Sequence, residues 1–359
     1  MKKSLNILFA TAHPTLPEMS GGMQSSANEL ALLLTEKGHK VSFLCGLVGS
    51  SPLGIRARFV IKALRRKAAR DKVMGYPVWR AWFPWESMAW VVARVRPDVV
   101  LIQAGEPVRM ALAAQRAGVP VVMKFQDVYF EGLGGELSAL GDVTCTANSR
   151  FTAERYREKF GLEAKIIYPM MNMEQYRTPT TRENVTFINP HPLKGLDVAI
   201  AVARQCPDIP FSFVGAWWPN SKEASLMHEQ VADVPNITFR DPVSDMRQVY
   251  GKCRILLAPS LCEEGFGRVA CEAQCSGIPV VASNRGGLPE AVGAGGVLLD
   301  PEGPVEEWVA AIRKLWSDPA YYAALSAAAL KHAASPELGR EVQAALWEEV
   351  LASAAAPAR

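Results

Sequence analysis

PSLCEEGFGRVACEAQCSGIPVVASNRGG, residues 259–287, decides how this chain is read. A small polar turn ends in Glu263 and Glu264 and runs into Gly265, Phe266 and Gly267. An amphipathic helical run follows over 268–275, Gly277 closes it, and 278–282 is a short strand of the buried type. The glycines allow a ligand close to the backbone. The helix start offers N–H groups and the positive end of a dipole, so the turn is an anion site. Glu264 stands before that site, and Glu272, with seven residues between them, lies within the helix. One carboxylate can accept hydroxyl hydrogen bonds beside the anion and the other further along. A ligand carrying both phosphate and polyol groups would use every part of the segment.

The same rhythm extends in both directions. Buried-type strands are expected at 5–11, 41–45, 98–102, 119–124, 143–147 and 165–168, alternating with helices at 24–37, 107–117 and 150–160. That is a parallel α/β domain. A second series begins at 185–189 and continues at 211–215, 237–240, 255–258, 278–282 and 296–299. The segments 169–172 and 178–181 form the expected boundary, and beyond Val305 the chain reads as alanine-rich helix to 353. A length of 359 residues predicts two domains, and 49% hydrophobic with 21% charged residues supplies two cores.

The net charge of +3 hides an asymmetry. Residues 1–168 hold 23 Lys and Arg against 14 Asp and Glu, whereas residues 169–359 hold 16 against 22. A basic first half is suited to an anionic surface. No apolar run nears the roughly 20 residues that span a bilayer. Lys2 and Lys3 followed by LNILFATA mimic a secretory signal, but the apolar stretch is short and reads on as a βα unit. None of the seven cysteines forms a Cys-x-x-Cys pair. Cys271 and Cys275 are one helical turn apart without a histidine at metal-site spacing, so all seven are read as reduced thiols of a cytosolic protein.

At residues 264–272 and the following SGIPVVAS the chain resembles the retaining nucleotide-sugar glycosyltransferases of the GT-B fold, glycosyltransferase family 4 (glycosyl transferases group 1). The resemblance runs from Leu5 to about Leu351. It implies two Rossmann-like domains with parallel sheets facing across a cleft: residues 1–168 on the acceptor side, residues 169–335 for the nucleotide-sugar donor, and a final helix, 336–359, crossing back to the first domain. By the resemblance Glu264 binds donor sugar hydroxyls, Gly265, Phe266 and Gly267 approach the sugar and diphosphate, and Glu272 holds the ribose. Gly21 and Gly22, in SGGMQSSANELALLLTEKGHKV, bring the first βα loop to the diphosphate. Lys194, in FINPHPLKGLDVAI, neutralises that diphosphate.

Two positions depart from the family pattern. Asn189 stands where an arginine is usual, with His191 or Arg268 as candidate compensating cations. Gln126, in KFQD, replaces a histidine near the reacting sugar carbon. It keeps hydrogen-bonding capacity but cannot carry a proton or charge. His13 and Asp127 are candidates for the acceptor and sugar side, and Trp217 or Trp218 for covering the base. No Asp-x-Asp motif stands at a metal-binding loop position, so the expectation is metal-independent chemistry with no cofactor beyond the nucleoside-diphosphate sugar.

GIRARFVIKALRRKAARDK, residues 54–72, carries eight cations and one acid. With Trp79, Trp82, Phe83, Trp85 and Trp90 following, it predicts an amphipathic segment that meets an anionic membrane, with Arg65, Arg66 and Lys67 as contacts. No nucleic-acid motif accompanies these charges. The resulting expectation is a cytoplasmic, peripherally membrane-bound retaining hexosyltransferase acting on a glycan, a lipid-linked glycan or a small acceptor, with Glu264, Gln126 and Lys194 at the reaction. A binding or scaffold subunit that lost turnover, and a nucleotide-sugar epimerase, are the alternatives.

Overall fold

Runs such as Ile7, Leu8, Phe9 and Ala10, all fully buried, leave no solvated face, and a strand of that kind belongs at the centre of a sheet covered on both sides. The computed structural model describes residues 4–215 and 229–356. It divides into two units: Met1–Tyr168 with Glu341–Arg359, and Pro169–Arg340. In the first unit that run is β1 (Asn6–Ala10). It is followed by α1 (Gly22–Glu36), β2 (Lys40–Gly46), α2 (Pro52–Ala63), β3 (Ala69–Asp71), β4 (Val78–Ala81) and α3 (Pro84–Val95). Then come β5 (Val99–Ile102), α4 (Pro107–Arg116), β6 (Val121–Phe125), β7 (Thr144–Ala147), α5 (Arg150–Phe160) and β8 (Lys165–Ile166). The sheet order is β3-β4-β2-β1-β5-β6-β7-β8, parallel except for the antiparallel pair β3–β4.

The last helix, Arg340–Ala354, packs in this unit through pairs from Glu341 to Lys37, Glu348 to His39 and Glu349 to Lys165. Trp347 is buried, and the Lys124 ammonium lies 5.5 Å from its ring centroid.

The second unit repeats the plan with β9 (Asn184–Ile188), β10 (Phe211–Val214), β11 (Ile237–Arg240), β12 (Cys253–Ala258), β13 (Val280–Ser283) and β14 (Gly296–Leu299). Its helices are α6 (Met173–Tyr176), α7 (Leu196–Gln205), α8 (Arg247–Tyr250), α9 (Arg268–Gln274), α10 (Leu288–Val292), α11 (Val305–Ser317) and α12 (Pro319–Ala333). The order β11-β10-β9-β12-β13-β14 is wholly parallel. Phe187 and Phe213 meet edge to face at 5.1 Å, and Trp308 is fully buried against the same core. All seven cysteines are free thiols, and burial pushes those of Cys253 and Cys275 up to about 12.

The basic segment differs from its expectation. It is not one amphipathic element: α2 stops after Ala63, and residues 69–71 are the edge strand β3. The stop is a Schellman-type cap in which Arg65 takes the left-handed conformation (φ 47°) and the Arg66 amide donates to the Ile61 carbonyl at 3.0 Å. The tryptophans also divide. Trp79 and Trp90 meet edge to face at 5.6 Å and, with Trp85, pack against the core, whereas Trp82 is 49% exposed.

A buried charge cluster ties the first βα loop to the sheet. Arg80, 1% exposed on β4, donates to Glu18 Oε2 and to Asp71 Oδ2, both at 2.8 Å, and to the Leu16 carbonyl at 3.2 Å. Ser51 donates to the other Glu18 oxygen. Removing one partner of such a group strands the remaining charges without compensation. Arg80→Met should therefore destabilise this unit by about 3–5 kcal/mol. Urea unfolding read by tryptophan fluorescence tests this, and an unmoved midpoint would show that the cluster contributes nothing net.

Candidate functional site

In an open parallel sheet the loops at the carboxyl ends of two adjacent strands diverge where the strand order reverses, leaving a crevice there. In the second unit that point lies between β9 and β12. The loop after β9 makes a tight turn: His191 Nδ1 accepts from the Leu193 amide at 3.2 Å, Pro192–Lys194 is a single 3₁₀ turn, and Gly195 opens α7. Gly195 has φ 81°, and a Cβ there would lie 1.9 Å from the Pro259 carbonyl oxygen, so no other residue fits. The amides of Leu261 and Cys262 both donate to the Leu193 carbonyl at 3.0 Å, fastening the β12 loop to the β9 loop.

That fastening brings Lys194 and Glu264 together, with Nζ 3.0 Å from Oε2. Ser260 donates to the other Glu264 oxygen. Burial acts to lower the Lys194 pKa, but the charge and hydrogen bond of Glu264 together with Cys262 act against it and the net shift is upward, so the ammonium stays charged. The Gly265, Phe266 and Gly267 turn follows. Phe266 is buried, and Gly267 (φ 101°) abuts Leu288 of α10 so closely that a Cβ would meet its Cδ2 at 2.6 Å.

Glu272 lies one helical turn beyond Arg268 on α9 and is 7% exposed. Its Oε1 accepts from Arg268 Nε at 3.2 Å and its Oε2 from the Tyr250 hydroxyl at 3.0 Å. Arg268 also donates to the Tyr176 hydroxyl at 2.8 Å. Each Glu272 oxygen retains acceptor capacity beyond its one protein partner. Arg268 is thus engaged with Glu272 and Tyr176 in this buried group, and His191 Nδ1 with its own turn. Asn189 itself is in the left-handed region (φ 58°), its amide donating to the Val214 carbonyl at 2.8 Å. Trp217 and Trp218 lie outside the described residues.

In the first unit the corresponding reversal is between β1 and β5, and a cavity of about 430 Å³ opens there. His13 follows β1, Trp82 and Phe83 follow β4, Glu106 follows β5, and Gln126 and Asp127 follow β6; all line it. Gly105 (φ 83°) is needed because a Cβ would touch the His13 ring at 2.7 Å. Burial raises the Asp127 pKa, partly offset by the Tyr129 amide, which donates to Oδ1 at 3.1 Å, and by His13. The Gln126 side-chain nitrogen is buried without a partner. Gly21 and Gly22 stand exposed at the start of α1, with Gly21 as its cap residue. The structure thus gathers Lys194 with Glu264, and His13 with Gln126 and Asp127. Arg65, Arg66 and Lys67 are exposed and are not among the residues that line the cavity.

Sequence reasoning passed over Gly286 and Gly287, which close the quoted stretch. The Gly287 amide donates to the Glu264 carbonyl at 2.7 Å, and a Cβ on Gly287 would lie 2.3 Å from the Gly265 oxygen. The Gly-Gly pair itself was the available signal. Tyr176, Tyr250 and Arg80 were also missed, and their partners are too distant in sequence for any motif to announce them.

Residues 185–318 match the family described as Glycosyl transferases group 1, and residues 21–167 match the Glycosyl transferase 4-like domain. The chain is 39% identical over 126 residues to the D-inositol 3-phosphate glycosyltransferase of Thermobispora bispora, covering 34% of this chain and 28% of that protein. To the enzyme of the same name from Corynebacterium jeikeium it is 30% identical over 215 residues, 57% of this chain and 49% of the other. The matches thus span no more than about half the length of these curated relatives. Anabaena Alr3699/HepE, solved in complex with UDP-glucose, superimposes with a TM-score of 0.78 over 97% of this chain and 99% of its own at 20% identity, a likeness of fold.

The packing of Gly195 on Pro259 generates a test. Gly195→Ala should force the two loops apart, lowering the melting temperature and separating Lys194 from Glu264. Differential scanning calorimetry checks the first effect. A melting temperature equal to that of the parent would show that the close approach does not constrain the loops.

Proposed function

We propose that this chain, a member of the group 1 glycosyltransferases with the GT-B fold, moves a hexose-type sugar from a nucleoside diphosphate to an acceptor hydroxyl with retention of configuration. The observation that carries the reading is the Lys194–Glu264 pair, 3.0 Å apart at the strand-order reversal of the second unit. Lys194 has three N–H donors. It can hold Glu264 with one and the diphosphate with the others. Its cationic charge compensates the negative charge that grows on the diphosphate as the sugar leaves. Glu264 accepts from sugar hydroxyls, and the residual acceptor capacity of Glu272 is directed to the ribose.

In the reaction the bond from the sugar C1 to the diphosphate oxygen breaks, and a bond from C1 to the acceptor oxygen forms on the same face. The acceptor proton passes to the departing diphosphate. With Lys194 and backbone amides on the phosphates, no metal ion is required in this scheme. Glu264 and Glu272 both serve donor binding, so neither is the nucleophile of a double displacement. The location proposed is cytoplasmic, consistent with free thiols. No helix among the described residues is long and apolar enough to cross a membrane. Contact with an anionic membrane surface is supported by Ile55, Phe59 and Leu64, which are 57%, 73% and 55% exposed beside the solvated Arg65, Arg66 and Lys67.

A thermal-shift panel of UDP, GDP, ADP, dTDP and their sugar conjugates, run in EDTA, should give one clear responder, and a flat panel would favour a scaffold without turnover. Lys194→Met should weaken that responder by roughly 1.5–3 kcal/mol, about 10- to 100-fold in Kd. Glu272→Gln should weaken it too, and the amide is preferable to alanine because it keeps a hydrogen-bond partner for the buried Arg268. Charge reversal at Arg65, Arg66 and Lys67 should lower sedimentation with anionic vesicles. Unchanged sedimentation would remove the membrane from the proposal.

A further inference from the structure

We infer that the 430 Å³ cavity of the first unit selects an uncharged acceptor with a flat apolar ring face, and excludes a phosphorylated one. This rests on the glycosyltransferase reading and names the acceptor class within it. Three observations on the cavity support the inference.

The first is its aromatic rim. Trp82, Phe83 and Tyr129 line it and are 49%, 52% and 68% exposed, an unusual display for large rings on one small opening. They are held in place. Phe83 lies 5.5 Å from Trp85, and the Trp82 ring covers Gly49, where a Cβ would meet its Cη2 at 2.7 Å. Rings fixed in this way offer stacking faces at little conformational cost.

The second observation is the arrangement of charge around the cavity. Arg109 sits 2.5 Å from Glu106 and over the Trp85 ring at 4.9 Å. The Lys124 ammonium faces the Trp347 ring at 5.5 Å and Ser26 Oγ at 3.5 Å. Asp127 has His13 as its neighbour. A phosphate entering here meets the carboxylates of Glu106 and Asp127, while the Lys124 ammonium of the lining is directed at Trp347 and Ser26. Its desolvation is opposed by those two carboxylates. An uncharged hydroxyl meets no such opposition.

The third is the unmet hydrogen-bonding capacity of the wall. The Gln126 amide nitrogen is buried without a partner, and a buried donor of that kind calls for one. Beside it the Asp127 carboxyl is an acceptor. Donor and acceptor side by side suit a hydroxyl, which both accepts and donates. Aromatic faces beside a hydroxyl-binding pair describe a site for a pyranose ring or for the aryl group of an aryl glycoside.

The test uses the whole chain with the donor found by the thermal-shift panel. Four acceptors are compared: 4-nitrophenyl glucoside, methyl glucoside, inositol and inositol 3-phosphate. Nucleoside diphosphate release and product mass report turnover, and saturation-transfer NMR reports acceptor binding whether or not turnover occurs. The expected result is binding of the glucosides and no binding of inositol 3-phosphate. A gain of aryl over methyl glucoside would identify the aglycone as the stacking group, and equal binding would identify the sugar ring. Trp82→Ala and Phe83→Ala should each raise the KM for the preferred glucoside about tenfold, the loss of one aromatic contact, while the donor thermal shift persists. Binding of inositol 3-phosphate in preference to inositol, an unchanged KM in both variants, or no glucoside signal in the NMR experiment would overturn the inference. Absence of any donor shift or nucleotide release, with glucoside still bound, would instead sink the glycosyltransferase reading and leave the cavity assignment standing.

Discussion

Everything functional in this chain depends on a constraint of parallel sheets: the chain must leave its central strand in both directions. In the first unit β1 lies between β2 and β5, and in the second β9 lies between β10 and β12. The loops leaving the carboxyl ends of those central pairs diverge to opposite faces of the sheet, which leaves a crevice between them. Loops of ordinary length therefore end beside one another at these places. The Leu193 carbonyl, held by two amides of the β12 loop, turns that proximity into a fixed geometry. Lys194 and Glu264 meet because of it.

Charge is buried sparingly and always in company. Arg80 serves Glu18 and Asp71, and Arg268 serves Glu272 and Tyr176. Such groups add little net stability over an apolar replacement, but the directional bonds of a guanidinium fix several segments at once. The Arg80 group fixes residues 16–18 of the loop that leads to Gly21. The Arg268 group fixes α6, α8 and α9 around one carboxylate. Apolar packing supplies the stability of each unit, and the buried ions set the positions of its loops.

The central strands were legible because continuous apolar runs such as residues 7–10 and 255–258 have no other use in a water-soluble domain. Helix 150–160 was legible from both ends, with Ser149 as cap and Gly161 as stop. The edge strand β3 and its neighbour β4 were not legible, because Ala69–Asp71 sits in a run of cations and Val78–Ala81 among tryptophans. The end of α2 was hidden for a local reason: its cap uses arginine where glycine is the usual signal. At the site, Lys194 and Glu264 could be named from their motifs, but their contact could not, since it arises from the register of β9 against β12. The engagement of Glu272 by Arg268 and Tyr250 was equally hidden, although the spacing of four from Arg268 placed the first pair on one helix face.

Because Lys194 is balanced by Glu264, the pair presents little net charge to the surrounding solvent, and the unit Pro169–Arg340 carries 19 acids against 15 basic residues. An anion approaching from a distance is repelled by that unit rather than steered to it. Inorganic phosphate or a nucleic-acid backbone meets this repulsion at range and the Lys194 ammonium only at contact. A ligand that also offers hydroxyl groups to the carboxylates recovers at contact what it loses at range. In the proposed donor site this pair would act as a filter against bare polyanions, deferring discrimination to the last few ångströms, where the shape and hydroxyls of the ligand are read together.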